Sequence, residues 1–229
     1  MKRVFIFTIL TLILAFAGSP RLAGQPQKQY NFRGTYYDIR RAAHESETVP
    51  AKPVVFLGNS ITEQGWWKII LRNDRVVNRG IGGDNTFGMI DRLDNILKLD
   101  PSVIFIMAGI NDLANGWSED TIAHNMAVMI DKVQASSKDC RIFIQSVLPV
   151  NEEKLAFPGA KGKNPAVASL NAKYQKLCNE KGVTFLEIGK LLSDSEGILK
   201  AQLSRDGLHL EPEGYLIWAD YLLKNVLKK

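Results

Sequence analysis

A three-layer α/β fold built on a parallel sheet is predicted by three features of this sequence. Five short apolar runs rich in Val, Ile and Phe recur along the chain, segments of helical spacing separate them, and glycines and polar residues gather just after the runs. Runs that are apolar almost without alternation are how strands buried on both faces look. Strands alternating with helices imply right-handed crossovers and a sheet covered on both sides. Sheets of this kind hold ligands at the carboxyl ends of their strands.

The elements follow in order. Met1-Lys2-Arg3 is a positive n-region, residues 4–17 are an apolar stretch, and Ala15-Phe16-Ala17 fits a cleavage site. That is the pattern of a secretory signal peptide over residues 1–17, with cleavage after Gly24 as the alternative. The stretch is short for a membrane span of about 20 residues. The expectation is therefore an exported chain, periplasmic or extracellular, with no stable membrane anchor after cleavage. No cysteine flanks the boundary, which argues against a lipid anchor. Residues 18–50, with prolines at 20, 26 and 50, read as an N-terminal arm that is helical around 35–47. Residues 51–229 form one domain. Its strands are expected at 53–57, 75–78, 102–108, 141–147 and 183–188, and its helices at 66–72, 86–97, 119–136, 165–181 and 213–227. Residues 149–164, with Gly, Pro and Lys, read as a long surface loop of the kind that often serves function, here at the alcohol side of a substrate.

Composition narrows the function classes. The formal charge is +5, and removal of Lys2 and Arg3 with the leader leaves +3, without a basic cluster. Nothing marks a phosphate-tracking stripe, so nucleic acid is not an expected partner. The histidines, three in number, are scattered and the two cysteines are far apart, so no metal-ligand cluster or other cofactor site is expected. Export permits a disulfide between Cys140 and Cys178, and two separate buried thiols are the alternative. Gly80-Ile81-Gly82-Gly83 lacks the third glycine of a dinucleotide fingerprint, where Asn85 stands, and it follows the second strand rather than the first.

The chemistry gathers at the strand ends. Ser60, in "VVFLGNSITEQGWW", lies at a strand-to-helix turn, either as a helix cap or as a nucleophile. A serine hydroxyl needs a base, and the base needs a partner to set its tautomer. Asp206 and His209, three residues apart in "RDGLHLEPEGY", suit those two roles, or alternatively form only a local turn. His44 lies in the arm and His124 within a helix. Acyl transfer also needs fixed donors for a developing oxyanion. The N–H groups of Ser60 and Gly83 and the amide of Asn111 would supply them from three successive strand ends, although each of these turns is common by itself. Trp66, Trp67, Trp117 and Trp218 could stack on sugar rings, as in a non-catalytic carbohydrate-binding module, but they suit core or cleft walls better, and Trp218 should pack inward.

These blocks resemble the SGNH hydrolase superfamily, the GDSL-type esterases and lipases. Ser60 in "GNSIT", Gly83 in "GIGGD", Asn111 in "GIND" and His209 in "DGLH" match its four marker residues in order, and Asp206 matches its third triad member. Asn59 stands where the GDSL pattern has Asp, which alters how the serine turn is braced without removing a catalytic group. "GINDL", "QSVLPVN" and "DGLHLEPEGYLIWA" resemble the branch that is platelet-activating-factor acetylhydrolase-like or sialate O-acetylesterase-like. The resemblance implies a flavodoxin-like sheet of five parallel strands in the order 2-1-3-4-5, a cofactor-free serine esterase, and acetyl esters, carbohydrate O-acetyl groups first, as substrates. Lysophospholipid and thioester substrates stay open.

Overall fold

The computed structural model describes residues 32–227. The leader expected at 1–17 and the first part of the arm lie outside them. Five strands, β1 (Val54–Gly58), β2 (Val76–Gly80), β3 (Val103–Met107), β4 (Arg141–Gln145) and β5 (Thr184–Leu186), form one all-parallel sheet in the order β2-β1-β3-β4-β5. β1 and β3 are buried along their whole length, as their unbroken apolar runs require.

The helices are α1 (Thr35–Ser46), α2 (Ser60–Glu63), α3 (Trp67–Ile70), α4 (Thr86–Leu97), α5 (Ile110–Ala114), α6 (Glu119–Ser136), α7 (Asn164–Lys181), α8 (Ile188–Leu192) and α9 (Pro212–Asn225). α4, α6 and α7 pack side by side, while α9 packs on α3 and α8. On the α3/α9 side an aromatic row crosses the sheet. Phe56, Phe105 and Phe143 are register partners on β1, β3 and β4. Their ring centroids are 4.6 and 5.1 Å apart. Trp67 stacks on Phe56 at 4.5 Å, Trp218 meets Trp67 edge-on at 4.6 Å, and the Trp218 indole N–H donates to Gln145 Oε1. Each such ring contributes roughly 1.5–3 kcal/mol by burial alone. The inward Trp218 is as the sequence predicts.

One open alternative is decided and one expectation needs correction. Cys140 and Cys178 are both free thiols. Cys178 lies on the buried stripe of α7 with Val167, Leu170 and Tyr174, and burial pushes its thiol up to about 12. Burial likewise pushes the Cys140 thiol up to about 11. The stretch 149–164 is not simply a surface loop. Val150, Asn151 and Ala160 are buried, and a 3-10 turn forms at Pro158–Ala160. Its polar backbone is satisfied from inside: Val150 N–H donates to Asn164 Oδ1, and Asn164 Nδ2 returns the bond to Val150 O.

Candidate active site

β1 ends where Gly58 and Asn59 turn the chain into α2. Asn59 is the cap: its Oδ1 accepts from Ile61 N–H at 3.0 Å. Ser60 is therefore the first residue inside the helix and its hydroxyl is not used for capping. Two glycines let α2 lie directly on the strand ends. A Cβ on Gly58 would fall 2.0 Å from Thr62 Oγ1, and one on Gly80 would fall 2.2 Å from the backbone nitrogen of Glu63.

Facing Ser60, residues 206–209 form a tight turn. Gly207 has φ +82°, and a Cβ there would meet Asn151 O at 2.4 Å. Asn151 N–H donates to Gly207 O and Ala156 N–H donates to Asp206 O, so the 149–164 stretch clamps this turn. Asp206 Oδ1 accepts from the N–H groups of Leu208 (3.1 Å) and His209 (2.7 Å). Its Oδ2 lies 2.7 Å from His209 Nδ1, and His209 Nε2 lies 2.9 Å from Ser60 Oγ. Burial works against ionising Asp206, but the hydrogen bonds from the His209 ring and from the two N–H groups outweigh it and hold its pKa below the ordinary carboxylate value. With the carboxylate accepting from Nδ1–H, Nε2 is the acceptor facing the serine hydroxyl.

The other two predicted residues follow the ends of β2 and β3, the strands on either side of β1. A Cβ on Gly82 would be 3.9 Å from Ser60 Cβ, and the next residue, Gly83, is exposed at φ +77° with nothing within 4 Å of its Cβ position. Asn111, buried at the start of α5, donates from Nδ2 to Asp84 O at 2.8 Å, which leaves the second hydrogen of that planar amide available to another acceptor. Ser60, Gly83, Asn111, Asp206 and His209 thus come together at one sheet edge, whereas His124 is exposed on α6 and His44 is half-buried on α1.

A supporting network escaped the sequence reading. Glu63 Oε2 accepts from Gly82 N–H, and its Oε1 accepts from the Tyr36 hydroxyl of α1, so the arm is tied to the glycine turn. Asp84 is fully buried, held by Arg92 Nε at 2.9 Å. Asp112 is equally buried and accepts from Thr86 N–H (3.1 Å) and Thr86 Oγ1 (2.5 Å), with Asn125 Nδ2 donating to that same hydroxyl. Burial pushes Asp84 up to about 6, against the pull of Arg92, and pushes Asp112 up to about 7, against the bonds from Thr86. The Asp112 carboxylate fastens Thr86 to α5, and the Asp84 carboxylate ties the same turn to Arg92 of α4. The neighbouring aspartates in "GGDN" and "GIND" were the only available signal.

The family model described as GDSL-like Lipase/Acylhydrolase matches residues 56–217. Platelet-activating factor acetylhydrolase IB subunit alpha2 of Rattus norvegicus is 27% identical over 169 residues, which cover 71% of this chain and 70% of that protein. A solved structure of a platelet-activating-factor-type protein from Streptococcus pneumonia superposes with a TM-score of 0.77 at 27% identity, covering 84% of this chain and 93% of that one. A GDSL-like lipase from Bacteroides thetaiotaomicron gives 0.71 at 25% identity, covering 82% and 95%.

Proposed function

The chain belongs to the GDSL-like lipase/acylhydrolase family and is a carboxylic ester hydrolase, and from that premise we propose that it is an exported serine esterase that removes short acyl groups, acetyl first, from carbohydrate esters. Ser60 Oγ attacks the ester carbonyl while His209 Nε2 takes its proton. Asp206 holds the ring in the Nδ1–H tautomer and stabilises the imidazolium. The oxyanion is met by the N–H groups of Ser60 and Gly83 and the Asn111 amide. His209 then protonates the leaving alcohol, and water attacks the acyl-enzyme by the same route.

One observation carries this reading: His209 Nε2 lies 2.9 Å from Ser60 Oγ while Asp206 occupies the other ring nitrogen at 2.7 Å, across 149 residues of intervening chain. Chance packing seldom leaves three such groups in series and half-open to solvent. Acetyl as the acyl group is supported by the acetylhydrolase similarity. Ser60→Ala tests it. Hydrolysis of p-nitrophenyl acetate should fall by about 10³-fold or more with the thermal transition unchanged; full activity in that variant refutes the assignment.

A second reading, a longer acyl chain as in a lysophospholipid, is favoured by one feature. A cavity of about 360 Å³, walled largely by apolar side chains including Trp66, Ile69, Tyr215 and Leu216, adjoins the turn that carries His209 through its lining residues Arg205 and Leu210. Trp66 is 72% exposed there. If this cavity takes the acyl chain, kcat/KM should rise along a p-nitrophenyl ester series from acetate to octanoate, and Trp66→Ala should flatten the rise. A preference for acetate in the unaltered enzyme rejects this second reading.

A further inference from the structure

A separate cavity of about 330 Å³ lies where α1 packs against β2 and α4, and none of Ser60, Gly83, Asn111, Asp206 and His209 lines it. Its wall carries Arg41, Arg79, Arg92 and Lys98 against Glu45 and Glu47. Three of the guanidinium groups already have carboxylate partners: Arg41 with Glu45, Arg79 with Glu47, and Arg92 with Asp84. Arg92 is nonetheless incompletely used. It is only 3% exposed, its Nε and Nη2 are taken by Asp84 and Gly58 O, and its Nη1 is buried without a partner. His44 Nδ1, on the facing helix, is buried and unpartnered as well.

Buried donors are rarely left unpaired, because the lost hydration costs about 1–3 kcal/mol and more for a charged group. The local field has a definite sign. Burial, followed by the nearby charges of Arg79, Arg92 and Arg40, pushes His44 down to about 3, so its imidazole is neutral at physiological pH and surrounded by positive charge. Arg92 and His44 both line this cavity, with Nη1 and Nδ1 just beneath its wall, and a planar guanidinium beside a positive, partly enclosed space is matched in shape and charge by the oxygens of a carboxylate or a phosphate.

We propose that this cavity is a binding site for a small oxyanion, a carboxylate or phosphate group, held by Arg92 Nη1 and by His44 from Nδ1, with Lys98 at the rim. The site is built half from α1, which precedes the residues matched by the family model, and half from β2 and α4 within them. It is joined to the active site through one side chain. Arg92 also holds Gly58 O, two residues before Ser60, and Asp84, whose carbonyl accepts from Asn111. The proposal does not depend on which ester the enzyme cleaves.

The test uses the full chain with labelled histidine, titrated separately with inorganic phosphate and with acetate, and with sodium chloride at matched ionic strength. Saturable movement of the His44 ring resonances, a His44 pKa that climbs in the presence of the anion, and a Tm that rises with the logarithm of its concentration are expected. The arm that saturates at lower concentration distinguishes phosphate from carboxylate. Lys98→Glu, at the exposed rim, should fold normally and weaken binding about fivefold or more; Arg92→Gln should abolish it, with circular dichroism and the melt reporting whether that variant is still folded. Changes that sodium chloride reproduces, or His44 resonances unmoved by either anion, or affinity unaltered in Lys98→Glu and in folded Arg92→Gln, would overturn the proposal.

Discussion

Replacing Asp206 in two different ways should separate its two jobs. Both oxygens are committed: Oδ1 to the N–H groups of Leu208 and His209, Oδ2 to His209 Nδ1 at 2.7 Å. In Asp206→Asn the amide cannot turn freely, because placing its NH₂ at the Oδ1 position would oppose two backbone donors. The NH₂ is therefore forced toward Nδ1, which must then be the unprotonated nitrogen. Nε2 then carries the hydrogen and cannot accept the proton of Ser60. A tautomer set the wrong way costs on the order of 10⁴ in kcat, about 5.5 kcal/mol of barrier. Stability should change little, because the Oδ1 bonds survive. Asp206→Ala reverses the balance. It imposes no wrong tautomer, so kcat should fall less than in Asp206→Asn. It also leaves the Leu208 and His209 N–H groups without their acceptor, which costs about 1–3 kcal/mol of stability. Steady-state hydrolysis of p-nitrophenyl acetate and urea unfolding of the same three proteins read both quantities. If Asp206→Asn keeps activity within tenfold of the unaltered enzyme, the ring is oriented by some other group and the tautomer reasoning fails.

The remaining expectations concern the groups behind the serine. Asn111→Ala should lower kcat about 10²–10³-fold with little change in KM, since an oxyanion donor acts mainly in the transition state. The same change should cost about 1–3 kcal/mol in stability because Asp84 O loses its donor; an unchanged kcat would remove Asn111 from the oxyanion site. Asp112 predicts a pH dependence of stability. Its folded pKa is raised from 3.8 to about 7, so between those values the native state keeps a proton that the unfolded chain has released. Stability should therefore fall as pH rises through that window, by at most about 4 kcal/mol from this group, with Asp84 adding in the same direction. Asp112→Asn should flatten the profile, measured as urea midpoints from acid to neutral pH; a slope as steep as in the unaltered protein would show that Asp112 does not titrate there.

Much of the site was legible because its residues sit at sheet-edge turns that a one-dimensional pattern can mark. The apolar runs place the strand ends, and the short blocks containing Ser60, Gly83, Asn111 and His209 follow them. What failed to show were elements too short to carry a period. α2, α5 and α8 are helices of four or five residues, and no amphipathic pattern can develop over one turn. The 149–164 stretch misled because its composition is that of a loop, while its backbone is pinned from within by Asn164, Gly207 and Asp206. Removing it would take away the clamp on the histidine turn, so a deletion is expected to disturb the placing of His209 and not only the surface beside the substrate.

The sequence by itself determined the order of strands and helices, the burial of the sheet on both faces and the residue types available at its rim, because hydrophobic periodicity and turn chemistry act over a few neighbouring residues. Tertiary structure alone decided the fates of like neighbours. Trp67 is sealed against Phe56 while Trp66 stands in solvent, Asn59 caps the helix while Ser60 is left free for His209, and Asp84 and Asp112 are buried while many other aspartates face water. Those outcomes depend on which distant segment arrives opposite each side chain, and that is a property of packing in three dimensions that no local spacing encodes.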